Sequence, residues 1–101
     1  MNAFVRVGLV PDSGMTYFLP RVMGYAKALE HMWLAKPIAA DAALACGLVN
    51  KVVPAGQVLA EANLLAAELV RMPPLALALT KRAVNRSLEA ASLEGQMEYE
   101  A

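Results

Sequence analysis

The chain has 101 residues, of which 58% are hydrophobic, with nine Lys+Arg against nine Asp+Glu and no block of either sign. That balance excludes a basic face for nucleic acid or an anionic membrane, and the single cysteine, Cys46, excludes an internal disulfide. No apolar run reaches the roughly 18 residues of a membrane span, so the mean hydropathy of +0.44 points to buried helices or to surface covered by a partner outside this chain.

The first residues, Met1-Asn2-Ala3-Phe4-Val5-Arg6, lack the basic start and apolar core of a signal peptide, so a cytoplasmic location is expected. Residues 4–10 alternate weakly and are β-branched, which predicts a short strand. The stretch Val7-Gly8-Leu9-Val10-Pro11-Asp12-Ser13-Gly14 then reads as strand, proline-fixed turn and helix start. Two readings of Asp12 stand side by side. As a cap, Asp12 or Ser13 accepts hydrogen bonds from the free N–H groups of the first turn, the commoner outcome on spacing alone. As an acid/base, Asp12 lies between apolar residues, which predicts a poorly hydrated carboxyl with a raised pKa, able to carry a proton.

From Ser13 the pattern is helical, with Pro20 and Gly24 expected to break a short helix from a longer one over about residues 25–34. Ala26, Leu29, Met32 and Trp33 give that helix its apolar stripe. His31 has no second ligand or nucleophile near it and reads as a packed or surface residue. Lys36-Pro37 ends the helix, a short one follows over residues 40–46 with Gly47 as its cap, and Cys46 reads as a small core residue. Leu48-Val49-Asn50-Lys51-Val52-Val53 is the second expected strand, and two strands alone are marginal in water. Pro54-Ala55-Gly56 opens a long helix to about Arg71, lined by Val58, Ala62, Leu65, Leu69 and Met72. Met72-Pro73-Pro74 stops it. The last long helix runs from Pro74 to about Ala90, its start Leu75-Ala76-Leu77-Ala78-Leu79 apolar all round and expected to be buried on every side. Ser92 and Gly95 mark a final short helix.

The expected fold class is therefore mostly α with two short β-strands. It forms a single partial domain over residues 1–101: a strand and turn over 1–12, then a helical region with a strand near 48–53. There is no Gly-rich phosphate loop, metal-ligand spacing or nucleophile elbow, and Ser13 has no partner histidine close in sequence. No metal is expected.

The order of motifs carries more. Phe4-x-x-x-Gly8-Leu9-Val10-Pro11-Asp12-Ser13-Gly14, Phe18-Leu19-Pro20-Arg21 and Gly24-x-Ala26-x-Ala28 come first. Ala43-x-x-x-Gly47-Leu48-Val49-Asn50-Lys51-Val52-Val53-Pro54 follows, then Pro73-Pro74-x-Ala76 and Thr80-Lys81-Arg82-Ala83-Val84-Asn85. Together they closely resemble the enoyl-CoA hydratase/isomerase (crotonase) family, along practically the whole chain. The resemblance implies a fragment of the crotonase-like α/β (ββα spiral) fold. It also implies acyl-CoA thioester chemistry through an enolate whose oxygen is held by two backbone N–H groups. Both donors lie in the family's N-terminal half, which this chain does not resemble. Losing one such donor costs around 10²–10³ in rate, so the 101 residues alone are expected to be weakly active or inactive.

Hydratases of the family carry a glutamate seven residues before the motif proline, where this chain has Phe4. Isomerases place an acidic residue directly after that proline, here Asp12. The resemblance thus implies a double-bond or ring isomerase. Asp12 is its proton acid/base, and Phe4, Gly14 and Met15 neighbour the acyl pocket, with Phe4 keeping the carboxylate dry. No cofactor is implied, CoA being part of the substrate. The implied partners are an acyl-CoA thioester, a missing N-terminal half and further copies in a trimer or hexamer. The alternatives are a non-catalytic remnant or oligomerisation module, and an enoyl-CoA hydratase. Three departures stand out. Met15 replaces a usual glycine, Leu34-Ala35 a usual Thr-Gly, and Ala39 a Ser/Thr N-cap worth about 1 kcal/mol.

Overall fold

The computed structural model describes residues 3–101 and is helical: a 3₁₀ turn, Phe4–Val7, then α1 (Met15–Met23), α2 (Tyr25–Trp33), α3 (Ala40–Ala45), α4 (Val58–Val70), α5 (Pro74–Ser87) and α6 (Leu93–Glu100). The chain divides into two compact units, Met1–Val53 and Pro54–Ala101.

Neither expected strand exists among the described residues. Over residues 4–10 the backbone winds instead: Gly8 N–H donates to Val5 O at 3.1 Å and Leu9 N–H to Phe4 O at 3.0 Å, with Gly8 at φ +76°. Over residues 48–53 the chain is irregular, and both Leu48 and Val49 N–H donate to Ala43 O behind them. β-Branched residues favour a pleated surface only when another strand supplies the ladder. With no such neighbour, these segments satisfy their amides locally or leave them to solvent.

In the first unit, α1 and α2 pack together. Leu19, Ala28 and Met32 form a small buried cluster, with Met15, Met23, Leu29 and Ile38 packed against it. Two details differ from the sequence pattern. Pro20 lies inside α1 rather than ending it; the helix stops at Gly24, whose N–H donates to Pro20 O. The buried stripe of α2 centres on Ala28 and Met32, leaving Ala26 and Trp33 exposed. Glu30 of α2 accepts from Lys27 at 3.2 Å and from Lys36 at 3.0 Å, and the Lys36 hydrogen bond, then that of Lys27, pulls its carboxyl below the ordinary value. Beyond α2, Ala35 is fully buried at φ +50°, a left-handed conformation that explains why glycine suits this position. Ala39 occupies the N-cap of α3 with extended geometry and no side-chain bond. Gly47 follows α3 at φ +80°, as expected, and Cys46 is half-buried with its Sγ donating to Ala43 O at 3.5 Å.

The second unit is built differently. Its helices begin and stop at the expected punctuation: Pro74 at the first position of α5, and Ser92 capping α6 by accepting from Gly95 N–H at 3.1 Å. Yet of residues 54–101 only Gln96 is buried and only Glu61 and Ala83 are half-buried. The apolar start of α5, expected to be enclosed, is exposed in this chain. No single helix among the described residues is long and apolar enough to cross a membrane; α4 and α5 would reach that length and composition only jointly, across a 109° bend.

Candidate functional site

The candidate site is the corner leading into α1. Its shape follows from Asp-Ser-Gly, a triplet of turn formers. Met15 N–H donates to Asp12 O at 3.0 Å, closing a four-residue turn whose central residues, Ser13 and Gly14, both have positive φ (+55° and +78°). That is type I′ geometry. Glycine is doubly required at position 14, because a Cβ there would lie 3.0 Å from two ring carbons of Phe18. Ser13 is not a glycine, and its left-handed backbone stores roughly 1–2 kcal/mol of strain.

The turn decides how the first amides of α1 are satisfied. The carbonyl of Gly14 accepts from Tyr17 N–H and Phe18 N–H, and no side chain caps the helix. The Asp12 carboxylate is therefore not spent on capping. Its Oδ1 accepts a 2.9 Å hydrogen bond from the Ser13 hydroxyl. Ser13 thus serves the carboxylate rather than the helix; the signal for this in the sequence is the Ser-Gly pair, which places the hydroxyl on a turn instead of at an N-cap.

Asp12 is exposed, and so are Leu9 and Val10 before it. Apolar neighbours in sequence do not dry a carboxylate; only residues folded over it can, and among the described residues none do. Phe4 is half-buried at the start of the 3₁₀ turn, where its carbonyl accepts from Leu9 N–H. Met15 is half-buried and packs on the Leu19–Ala28–Met32 cluster. Downstream, the Tyr17 and Phe18 rings meet edge-on at 5.1 Å, and the Arg21 guanidinium lies 3.6 Å over the Tyr17 ring while donating to Tyr17 O at 2.8 Å. His31 approaches Lys36 O at 3.4 Å, away from Ser13's hydrogen bond to Asp12. No group of three or more His, Cys, Asp or Glu side chains able to hold a metal occurs among the described residues.

Comparison with known proteins matches residues 1–101 to the family described as enoyl-CoA hydratase/isomerase. The chain belongs to the enoyl-CoA hydratase/isomerase family. It is 39% identical over 88 residues to a probable enoyl-CoA hydratase of Rhodobacter capsulatus, covering 87% of this chain and 34% of that protein. It is 37% identical over 98 residues to the 1,2-epoxyphenylacetyl-CoA isomerase of Escherichia coli, covering 97% and 37%. The crystal structure of an enoyl-CoA hydratase subunit from Geobacillus kaustophilus superposes with a TM-score of 0.92 at 35% identity, over 97% of this chain and 38% of that one. The crotonase-like fold thus holds for the chain although no strand occurs among the described residues. The chain spans about a third of the length of the family members it matches.

Proposed function

We propose that this chain supplies the proton-transfer carboxylate of an acyl-CoA isomerase, working together with the rest of a family protein. Asp12 takes a proton from one carbon of the acyl chain, leaving an enolate on the thioester, and returns it to another carbon as the double bond or ring rearranges. The observation that carries this reading is the Asp12 corner: a strained turn that closes on backbone alone and leaves a carboxylate uncommitted to folding. Support comes also from Phe4, which stands where the resemblance would place a hydratase glutamate, and from the likeness to the Escherichia coli isomerase.

The reaction needs no metal or cofactor, CoA being carried by the substrate. Polypeptide outside these 101 residues provides the oxyanion donors and covers Asp12. A homo-trimer or hexamer in the cytoplasm is part of the same reading. The names of several relatives favour a second one, hydration of an enoyl-CoA. The decisive test joins the chain to the remaining part of a family protein and follows double-bond migration and water addition separately. Asp12→Asn is expected to lower isomerisation about 10²–10⁴-fold, the usual contribution of a positioned acid/base. Isomerisation unchanged in that variant would overturn the assignment, and wild-type activity confined to hydration would favour the second reading.

A further inference from the structure

Neither the turn nor the helix it leads into explains why position 13 is a serine. Its backbone sits at φ +55°, at the first central position of a type I′ turn, which glycine, asparagine and aspartate fill at least cost. Its side chain caps nothing, since α1 begins without a side-chain cap. It is exposed, so packing does not hold it either. What the side chain does have is a hydrogen bond from its hydroxyl to Asp12 Oδ1 at 2.9 Å. Backbone strain of this kind gathers at active sites, where it holds a group in place.

The direction of that bond matters. An ionised carboxylate only accepts, so the Ser13 hydroxyl gives its hydrogen to Oδ1. Oδ2 takes no hydrogen bond from any described residue. The two oxygens of Asp12 are therefore not equivalent. When Oδ2 takes a proton, Oδ1 becomes the carbonyl oxygen of the acid and still accepts from Ser13. When Oδ1 takes it instead, two hydrogens crowd one oxygen and the serine bond is weakened. The last torsion of an aspartate side chain is otherwise broad, so an untethered carboxylate swings through a wide range. The hydroxyl thus fixes the carboxyl plane and keeps it fixed as the proton comes and goes.

We infer that Ser13 is a positioning residue for proton transfer: its hydroxyl pins Asp12 Oδ1 and leaves Oδ2 as the oxygen that exchanges a proton with the acyl chain. A substrate C–H bond breaks as the Oδ2–H bond forms, and its electron pair stays on the thioester as the enolate. The proton then passes from Oδ2 to another carbon. This rests on the reading of Asp12 as the acid/base.

The test uses the chain joined to the remaining part of a family protein and compares Ser13→Ala with Ser13→Gly. Both delete the hydroxyl, but alanine keeps the left-handed strain and glycine relieves it, so the pair separates position from stability. Both are expected to lower kcat for isomerisation on the order of 10- to 100-fold with KM unchanged, as a small misplacement of a reacting group does. In urea, Ser13→Gly should unfold at a higher midpoint than Ser13→Ala. In an Asp12→Asn background neither variant should lower the rate further, because Ser13 acts only through that carboxylate. Wild-type kcat in either Ser13 variant would overturn the proposal. So would rates that follow the urea midpoints, the pattern of a purely structural serine. A raised KM at unchanged kcat would also sink it, since the hydroxyl would then be touching substrate. Full isomerisation by Asp12→Asn would remove the reading of Asp12 itself, whereas loss there with fully active Ser13 variants would remove only the role of Ser13.

Discussion

Met1–Val53 and Pro54–Ala101 are both helical and both apolar, yet only the first closes a core. In the first, α1 and α2 meet around Leu19, Ala28 and Met32. In the second, the longer and more regular helices α4 and α5 bury no apolar side chain at all. Regular helix and buried core are therefore separate achievements. Good terminators and good helix formers suffice for the former, whereas the latter needs a facing apolar surface, which α4 and α5 do not find within their own unit.

The comparison breaks most visibly by truncation. Met32→Ala removes a buried side chain and is expected to cost the first unit about 2 kcal/mol or more, whereas Leu65→Ala on exposed α4 should cost less than about 0.5 kcal/mol. Urea titrations would read both, with fluorescence of the lone Trp33 on α2 reporting the first unit and helical ellipticity the whole. If Leu65→Ala proved as costly as Met32→Ala, the two units would not differ as described. A smaller effect sharpens the picture of the first unit. Ala35→Gly relieves a left-handed backbone worth roughly 1–2 kcal/mol and gives back part of it as chain entropy, for a net gain of about 0.5 kcal/mol in the same titration. The smallest effect is electrostatic. Lys36 and Lys27 hold the Glu30 carboxyl below its ordinary value of 4.5, so its contribution is present above that pH and is lost as pH falls through the lowered value. Helicity of the first unit should decline slightly between about pH 5 and 3, and Glu30→Gln should flatten that slope.

Much of this was legible beforehand, for identifiable reasons. Gly24, Gly47, Pro73-Pro74 and Ser92 end or begin helices through their own backbone or side-chain chemistry, so the boundaries they mark hold. The two strands did not form, because a strand is a relation between segments and residues 4–10 and 48–53 have no neighbour to pair with. Pro20 did not end α1: proline forbids one hydrogen bond but not the continuation of the helix beyond it, and Gly24 is the true stop. The enclosed environment expected for residues 75–79 did not form: Leu75, Leu77 and Leu79 are exposed, because an apolar run calls for burial without supplying the surface that buries it. At the site, the position of Asp12 after a proline was readable, while its turn was not: capping and type I′ closure share the same residues, and only coordinates distinguish them.

The corner at residues 12–15 has a consequence for how such a protein can change. Its closing bond joins one backbone carbonyl to one backbone amide, so side-chain identity at position 12 is decoupled from the start of α1. A mutation there can alter reactivity without first solving a folding problem, whereas Gly14, pressed against Phe18, has no such liberty. Two residues of one turn thus face opposite constraints: position 12 is free to explore new chemistry because position 14 is locked.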